Sequence, residues 1–395
     1  MISTTTRSAK NDGGRALPAA GVKERRGTHK IRYAVVGLGY ISQVAVLPAF
    51  QHARRNSLLV GLVSDDAVKL KTLGRKYKAS RSWSYEQYDE CLNSGLIDAV
   101  YIALPNDMHH EYAIRAASAG IHVLCEKPLA LTERECAEMI WVAHENNVKL
   151  MTAYRLHFER ANLMAIEIAS SGKIGEPRLF DSMLTMQVED PGNIRLQERN
   201  GGPLYDIGIY CINAARSVFR AEPIQVVAMT ANNHDPRFSE VDEIVSGTLR
   251  FPGERVATFT CSIGAADVSF FRVLGTKGEL RVEPSFEFAG DLKHYLSVGK
   301  RKRERTFKKR DQFAPELLHF SECIMSGDDP EPSGEEGLAD VRVIEALLRS
   351  AKLGGQPVEL GEFDRERRPT SRQEIRRPAV QQPELVHARA PSNEE

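Results

Sequence analysis

From Ile31 onward the chain alternates between two hydrophobic rhythms. Short apolar runs rich in β-branched residues and without clean alternation occur at Ile31 to Val36, Leu58 to Val63, Asp98 to Ala103, Ala119 to Cys125 and Val148 to Ala153. Between them apolar residues recur every three or four positions, as at Val44, Leu47 and Phe50, or from His109 through Ala119. The first pattern predicts strands covered on both faces, and the second predicts helices of about a dozen residues laid over them. Thr132-Glu133-Arg134-Glu135 is a capping-box start for one such helix, ending near Asn147. Strand alternating with helix over residues 31–154 predicts an α/β domain built on a doubly wound parallel sheet.

Beyond Tyr154-Arg155 the rhythm changes. A helix from about Ala161 to Ser171 is followed by long alternating runs: Arg178 to Val188, Ile224 to Ala231, Ile244 to Arg250, Val256 to Ser262, Ser269 to Leu274 and Glu279 to Val282. Short turns such as Phe251-Pro252-Gly253-Glu254 make successive strands antiparallel. Residues 155–360 are therefore expected to form a second, α+β domain with a large, mostly antiparallel open sheet. Between its first two strands a helix entered through Pro203 is apolar nearly all round (Ile207, Ile209, Cys211, Ile212, Ala214, Ala215), the mark of a buried helix. Gln312 to Met325 and Glu335 to Lys352 read as two amphipathic helices, with a stop at Gly354-Gly355. Both ends, residues 1–30 and 361–395, are polar and rich in small, charged or Pro/Arg positions, and are expected to be disordered.

Composition narrows the partners. A chain of 395 residues is long for one core, which agrees with two domains. Basic and acidic residues balance at 53 each, so no global field argues for nucleic acid or an anionic membrane. The basic run from Lys300 to Arg310 reads as a solvated turn. Six scattered cysteines without a CxxC pair fit reduced thiols in a cytoplasmic protein and no metal site. No run approaches the roughly 18 apolar residues of a membrane helix, and the first residues lack the apolar core of a secretory signal.

The candidate chemistry collects at one edge. In an open α/β sheet, ligands bind beyond the carboxyl ends of the strands. There the first strand runs into Gly37-Leu38-Gly39-Tyr40-Ile41-Ser42 and a helix. Gly37 permits the tight turn, Gly39 would let a pyrophosphate approach the backbone, and the helix supplies N–H groups, which reads as a dinucleotide turn with Ser42 as its third small residue, the alternative being a plain strand-to-helix turn. After the second strand, Ser64 stands where an NAD site would place a carboxylate, and Lys69 lies one helical turn on. A hydroxyl and a lysine suit a 2′-phosphate and hence NADP, while Asp65 and Asp66 leave NAD possible; Ser64 or Asp65 could equally cap a helix. Leu104-Pro105-Asn106 with His109, and Glu126-Lys127-Pro128, end on the same edge. Locally, Asn106 or Asp107 would also serve as a helix cap, and Glu126-Lys127 as a surface pair. In the buried helix, Asp206 and Tyr210 are four apart and face one way, and a carboxylate there needs a partner or a cavity. Removing hydride from a carbinol carbon requires that the hydroxyl proton leave to a base. A phenol, with an ordinary pKa of about 10, serves when a nearby cation favours its phenolate. Lys127 is that cation, and Asp206 would orient it or a sugar hydroxyl; otherwise Tyr210 is a buried ring with a satisfied hydroxyl.

Taken together, these motifs resemble the glucose–fructose oxidoreductase / inositol dehydrogenase family (Gfo/Idh/MocA) from about Ile31 to Leu360. Tyr210, in place of the histidine of inositol dehydrogenases, resembles the glucose–fructose oxidoreductase branch, as do Tyr154-Arg155-Leu156-His157 and Ser64 with Lys69. The resemblance implies a Rossmann-type domain and a cofactor, NADP or possibly NAD. The cofactor residues it implies are Gly37, Leu38, Gly39, Tyr40, Ile41, Ser64, Lys69, Leu104, Pro105, Asn106, His109, Glu126, Lys127 and Arg155. It implies catalysis by Lys127, Asp206 and Tyr210 on a carbinol or lactone carbon of a sugar or polyol, and a homodimer or homotetramer paired through an exposed sheet face. Three features depart from the branch: Ile194 replaces a tryptophan, the export signal is missing, and so is the Pro-rich amino-terminal arm. Two rivals stand beside it, an NAD-dependent glycosidase using transient oxidation and a non-catalytic cofactor-binding regulator.

Overall fold

In the computed structural model, which describes residues 30–363, 365 and 367–391, the first half forms six strands, five from its apolar runs and one short edge strand, Arg81–Trp83, that no such run marks. They are β1 (Ile31–Val36), β2 (Ser57–Val63), β3 (Arg81–Trp83), β4 (Ala99–Ile102), β5 (His122–Glu126) and β6 (Leu150–Ala153), ordered β3-β2-β1-β4-β5-β6. Every pairing is parallel. The lack of alternation has a plain cause: Tyr33 and Val35 enter one core, Ala34 and Val36 the other, so both faces of β1 are buried. Chain order reverses between β1 and β4, which opens a crevice outside their carboxyl ends.

Helices His109–Ser118 and Glu133–Glu145 pack on one face of this sheet. The other face takes a contribution from far along the chain. Helix Ala314–Ser326, which the sequence reading assigned to the second domain, buries Leu317, Leu318 and Phe320 there. Its carbonyls at Leu317 and Leu318 accept from Ser57 and Asn56, and Ser321 Oγ lies 2.7 Å from Tyr33 Oη.

The second half forms a nine-stranded sheet. Its strands are β7 (Pro177–Gln187), β8 (Gln225–Ala231), β9 (Ile244–Phe251), β10 (Arg255–Ser262), β11 (Gly264–Gly275), β12 (Gly278–Val282), β13 (Leu292–Val298), β14 (Arg301–Phe307) and β15 (Val358–Glu359), ordered β14-β13-β12-β11-β7-β10-β9-β8-β15. All pairs are antiparallel except β7 with β10. The expectation that successive strands pair antiparallel fails at the centre, because helix Ile209–Phe219 separates β7 from β8 and lets β7 insert between β10 and β11.

Two further expectations are corrected. The basic run is not a solvated turn but edge strand β14, exposed on both faces up to Phe307, so no alternation marks it. Charge on an edge strand also discourages further strand addition. The described residues of 361–391, expected to be disordered, form a mostly extended strap whose arginines find largely buried carboxylates: Arg365 pairs with Glu331 at 2.7 Å and Arg368 with Glu222 at 2.7 Å. Further along, Arg377 Nε donates to His52 O (3.1 Å), and Gln43 exchanges two 2.8 Å bonds with the backbone of Val386. The amino-terminal expectation lies outside the described residues, apart from Lys30.

Candidate active site

β1 delivers the chain into the glycine turn at the crevice. Gly37 has φ +92°, and a Cβ there would lie 2.4 Å from Ala103 O, so the turn fits against β4 only as glycine. A Cβ on Gly39 would meet nothing within 4 Å, so space is open above the turn. Ser42 Oγ donates to Gly37 O at 2.6 Å and closes the turn from below. The segment that follows winds as a π-turn, Ser42–Val46, rather than the regular helix expected.

Every cofactor and catalytic residue that the resemblance implies lines one cleft of about 970 Å³ that begins at this turn and ends at Tyr210; Asp65 and Asp66 do not. Their roles differ. Asp66, not Ser64 or Asp65, caps helix Ala67–Tyr77 through Val68 N and Lys69 N, while Asp65 accepts from Tyr85 N at 2.8 Å. Asn106 caps nothing with its side chain; its backbone N–H donates to Asn200 Oδ1 at 3.1 Å and its side-chain amide to Asn200 O at 2.8 Å, tying the first domain to the loop before the Asp206 helix. His109 is fully buried, with Nδ1 2.7 Å from Pro128 O and Nε2 3.0 Å from Leu104 O. Burial holds its pKa below the ordinary value, the two carbonyls offsetting only part of this. Its ring thus positions the Leu104 and Lys127 loops against each other.

Glu126 and Lys127 are not a surface pair. Tyr101 Oη donates to Glu126 at 2.8 Å, and burial raises the Glu126 carboxyl pKa, with Lys127 and Tyr101 opposing the rise. Behind it Glu316 is pushed far higher, by burial and then by the charge of Glu126. The Lys127–Pro128 peptide is cis. Lys127 Nζ instead crosses to the second domain, 2.6 Å from Asp206 O and 3.4 Å from Asp206 Oδ1. Asp206 sits in a second π-turn, Leu204–Gly208, whose loosened ladder precedes helix Ile209–Phe219.

The partner that sequence reasoning missed is Arg195, whose Nε lies 2.6 Å from Asp206 Oδ2. It comes from the short turn Ile194–Leu196, where no periodicity points inward. Burial pushes the Asp206 pKa up, but the charges of Arg195 and Lys127 and their hydrogen bonds outweigh it, and the carboxyl titrates below its usual range.

Tyr210 is half-buried between two cations. Lys127 Nζ lies 4.9 Å and the Arg155 guanidinium 5.2 Å from its ring centroid, with Phe286 stacked at 6.0 Å. Arg155 is itself fixed by Phe286 O at 2.6 Å and by Gln312 Oε1. Leu184, Met186 and Phe288 complete an apolar wall at this end. The arrangement offers a phenol, an ammonium and a paired carboxylate in a partly dry recess, the equipment for moving one proton beside a developing negative charge. Among the described residues no cluster of His, Cys, Asp and Glu suits a metal ion, all six cysteines are buried free thiols, and no helix is long and apolar enough to cross a membrane.

Known proteins share this architecture. The chain is 32% identical over 329 residues to a D-xylose 1-dehydrogenase (NADP(+)) of Haloarcula marismortui, spanning 82% of this chain and 91% of that protein. The crystal structure of aldose–aldose oxidoreductase from Caulobacter crescentus superposes with a TM-score of 0.80 at 36% identity, over 84% of this chain and 100% of that one. A 3-ketoreductase from Actinomadura kijaniata, solved with NADP and TDP-benzene, superposes at 0.75 with 25% identity, over 82% of this chain and 98% of its own. None of these three is a glucose–fructose oxidoreductase, so the likeness stands at the level of the family. Residues 31–154 match an oxidoreductase family with an NAD-binding Rossmann fold and residues 163–281 match the GFO/IDH/MocA C-terminal domain, and the chain belongs to the GFO/IDH/MocA family of oxidoreductases.

Proposed function

We propose that this protein is an NADP-dependent oxidoreductase that moves a hydride between nicotinamide and a carbinol or lactone carbon of a pyranose or related polyol. The carrying observation is the meeting of Lys127 with Asp206 and Tyr210, from two domains, at the far end of the cleft that starts at Gly37. Relatives named D-xylose 1-dehydrogenase and aldose–aldose oxidoreductase support the substrate class. The residues fit a dinucleotide, since the space over Gly39 admits a pyrophosphate against the backbone. NADP is favoured over NAD because both nearby carboxylates are engaged, Asp65 with Tyr85 N and Asp66 with its helix and His387, whereas Ser64 and Lys69 line the open cleft.

When bound, the cofactor supplies the carbon that takes or gives hydride. Tyr210 takes the substrate hydroxyl proton in oxidation and returns it in reduction. Lys127 stabilises negative charge as it develops on the substrate oxygen and on the phenol oxygen. Asp206, gripped by Arg195, holds the ammonium in place and offers its remaining acceptor capacity to a sugar hydroxyl. The aromatic wall keeps bulk water from competing. We further propose that the chain works as a homodimer or homotetramer, paired through the outer face of the nine-stranded sheet.

Mass spectrometry of the purified protein, followed by absorbance at the reduced-nicotinamide band as aldoses and polyols are added, tests the reading. Bound NADP(H) and a sugar-dependent absorbance change are expected. A dinucleotide-binding protein inert to the whole panel would refute sugar oxidation, and release of free sugar without net cofactor reduction would shift the reading to glycoside cleavage.

A further inference from the structure

The carboxyl-terminal strap does more than close the fold. It lies beyond Leu360, where the family resemblance ends, and 84% of this chain already accounts for all of the aldose–aldose oxidoreductase. Yet its last described residues, His387, Ala388, Arg389 and Pro391, line the same cleft as the glycine turn, Ser64 and Lys69.

The attachment is specific. Gln43, almost fully buried just after the glycine turn, donates to Leu38 O at 3.0 Å and pairs with both the N–H and the C=O of Val386 at 2.8 Å. One side-chain amide therefore joins the dinucleotide turn to the strap. One residue on, His387 Nδ1 lies 2.7 Å from Asp66 Oδ2, and the Asp66 N–H donates to Ser64 Oγ at 3.2 Å. The strap is thereby docked on the loop read as the ribose site. Leu385 and Val386 also pack against the adjoining core. Upstream, Arg365, Arg368 and Arg377 anchor the strap independently of the cleft. Arg389, two residues past His387, is exposed, lines the cleft and has no ionic partner among the described residues. A docked backbone that brings an unpaired cation to the cleft lined by Ser64 and Lys69 suits a phosphate monoester dianion.

We propose that residues 385–391 are part of the cofactor site: Arg389 binds the ribose 2′-phosphate of NADP together with Ser64 and Lys69, and the strap covers the dinucleotide so that it leaves slowly. The inference rests on the dinucleotide reading of the cleft. It makes cofactor choice and retention properties of a segment outside the shared family fold.

Two variants test it without any sugar: Arg389→Ala, and a chain ending at Glu384, which keeps the upstream anchors. Equilibrium titration and stopped-flow release are followed by the fluorescence of NADPH and NADH. Arg389→Ala is expected to weaken NADPH roughly tenfold or more, the worth of one charge-assisted contact, with NADH within about twofold of the parent. The shortened chain is expected to release both dinucleotides at least about tenfold faster. Should truncation perturb folding, the NADPH-to-NADH ratio in the point variant still decides. Equal effects of Arg389→Ala on both dinucleotides overturn the phosphate contact, and unchanged release from the shortened chain overturns the cover. A parent chain that binds neither dinucleotide refutes the function reading as well, whereas one that binds both and is indifferent to either change refutes this proposal alone.

Discussion

At the scale of single residues, the site is a relay of charge held by few contacts. Arg195 fixes Asp206, Asp206 fixes Lys127, and Lys127 lies against the ring of Tyr210. Of these, Lys127, Asp206 and Tyr210 were legible because each breaks a local pattern: a charge at the end of a buried strand, and a carboxylate with a phenol on one face of an apolar helix. Arg195 was not, because a charged residue in a loop is the ordinary case and only the fold brings it within 2.6 Å of a carboxylate. If the relay performs the proton transfer, Lys127→Ala and Tyr210→Phe should each lower kcat by about 10²- to 10⁴-fold. Dinucleotide affinity should stay within a few-fold, since the glycine turn and ribose loop are untouched. Steady-state kinetics with a binding titration separates the two, and near-normal turnover in both variants would refute the mechanism.

Among the elements, legibility followed burial. Strands β1, β4 and β5 could be read from the chain because both faces are covered and their apolar runs are unbroken. β14 could not, since neither of its faces is covered and its sequence answers only to solvent. The strap looked disordered because its partners are remote; Gln43 and Val386 are 343 positions apart. The nine-stranded sheet raises a question of the same kind. Its inner face is covered by helices Arg160–Ser170, Ile209–Phe219 and Gly334–Lys352, whereas register places Met229, Ser246, Thr260, Met183 and Phe270 in one row on the outer face. Met229 there is 71% exposed and Leu179 49%, large apolar side chains open to solvent on this face. With edge strand β14 charged, pairing through the face is the open route. Sedimentation at micromolar concentration should show a dimer or tetramer, and Met229→Glu should shift it toward monomer. A monomeric parent chain would contradict the proposal.

Across the whole molecule, the piece joining domain, domain and strap is a buried charge network whose price is a dependence on pH. Arg216, with no exposed surface, pairs with Glu222 (2.6 Å), Glu336 (2.9 Å) and Asp340 (2.6 Å), while Arg365 reaches Glu331 and Glu336 and Arg368 reaches Glu222. His157 stands in its midst, stacked on Tyr154, with Nε2 3.0 Å from Asn213 Oδ1. Asn213 uses its own amide N–H groups on Glu336 and Asp340, so its oxygen faces His157 and the imidazole donates from Nε2. Burial, then Arg365, Arg216 and Arg368, push the His157 pKa down to about 3. An unfolded histidine titrates at about 6.5, so between those values the unfolded chain binds the proton that the folded one refuses. The contribution of His157 is therefore intact above about pH 6.5 and is lost on acidification, by on the order of 1 kcal/mol per pH unit, until pH nears the folded value. Glu222, held down to about 2 by its arginines against the effect of burial, acts in the same direction but at lower pH; Asp340 and Glu331, raised by burial, oppose it. Comparing the parent with His157→Gln isolates the imidazole, because the amide keeps a donor for Asn213 and cannot titrate. Urea unfolding from pH 7 to 4.5 should show the parent losing stability more steeply than the variant, by that same order per unit. Parallel curves would mean that the ring takes its proton as readily in the folded chain as in the unfolded one, and that the network does not hold it neutral.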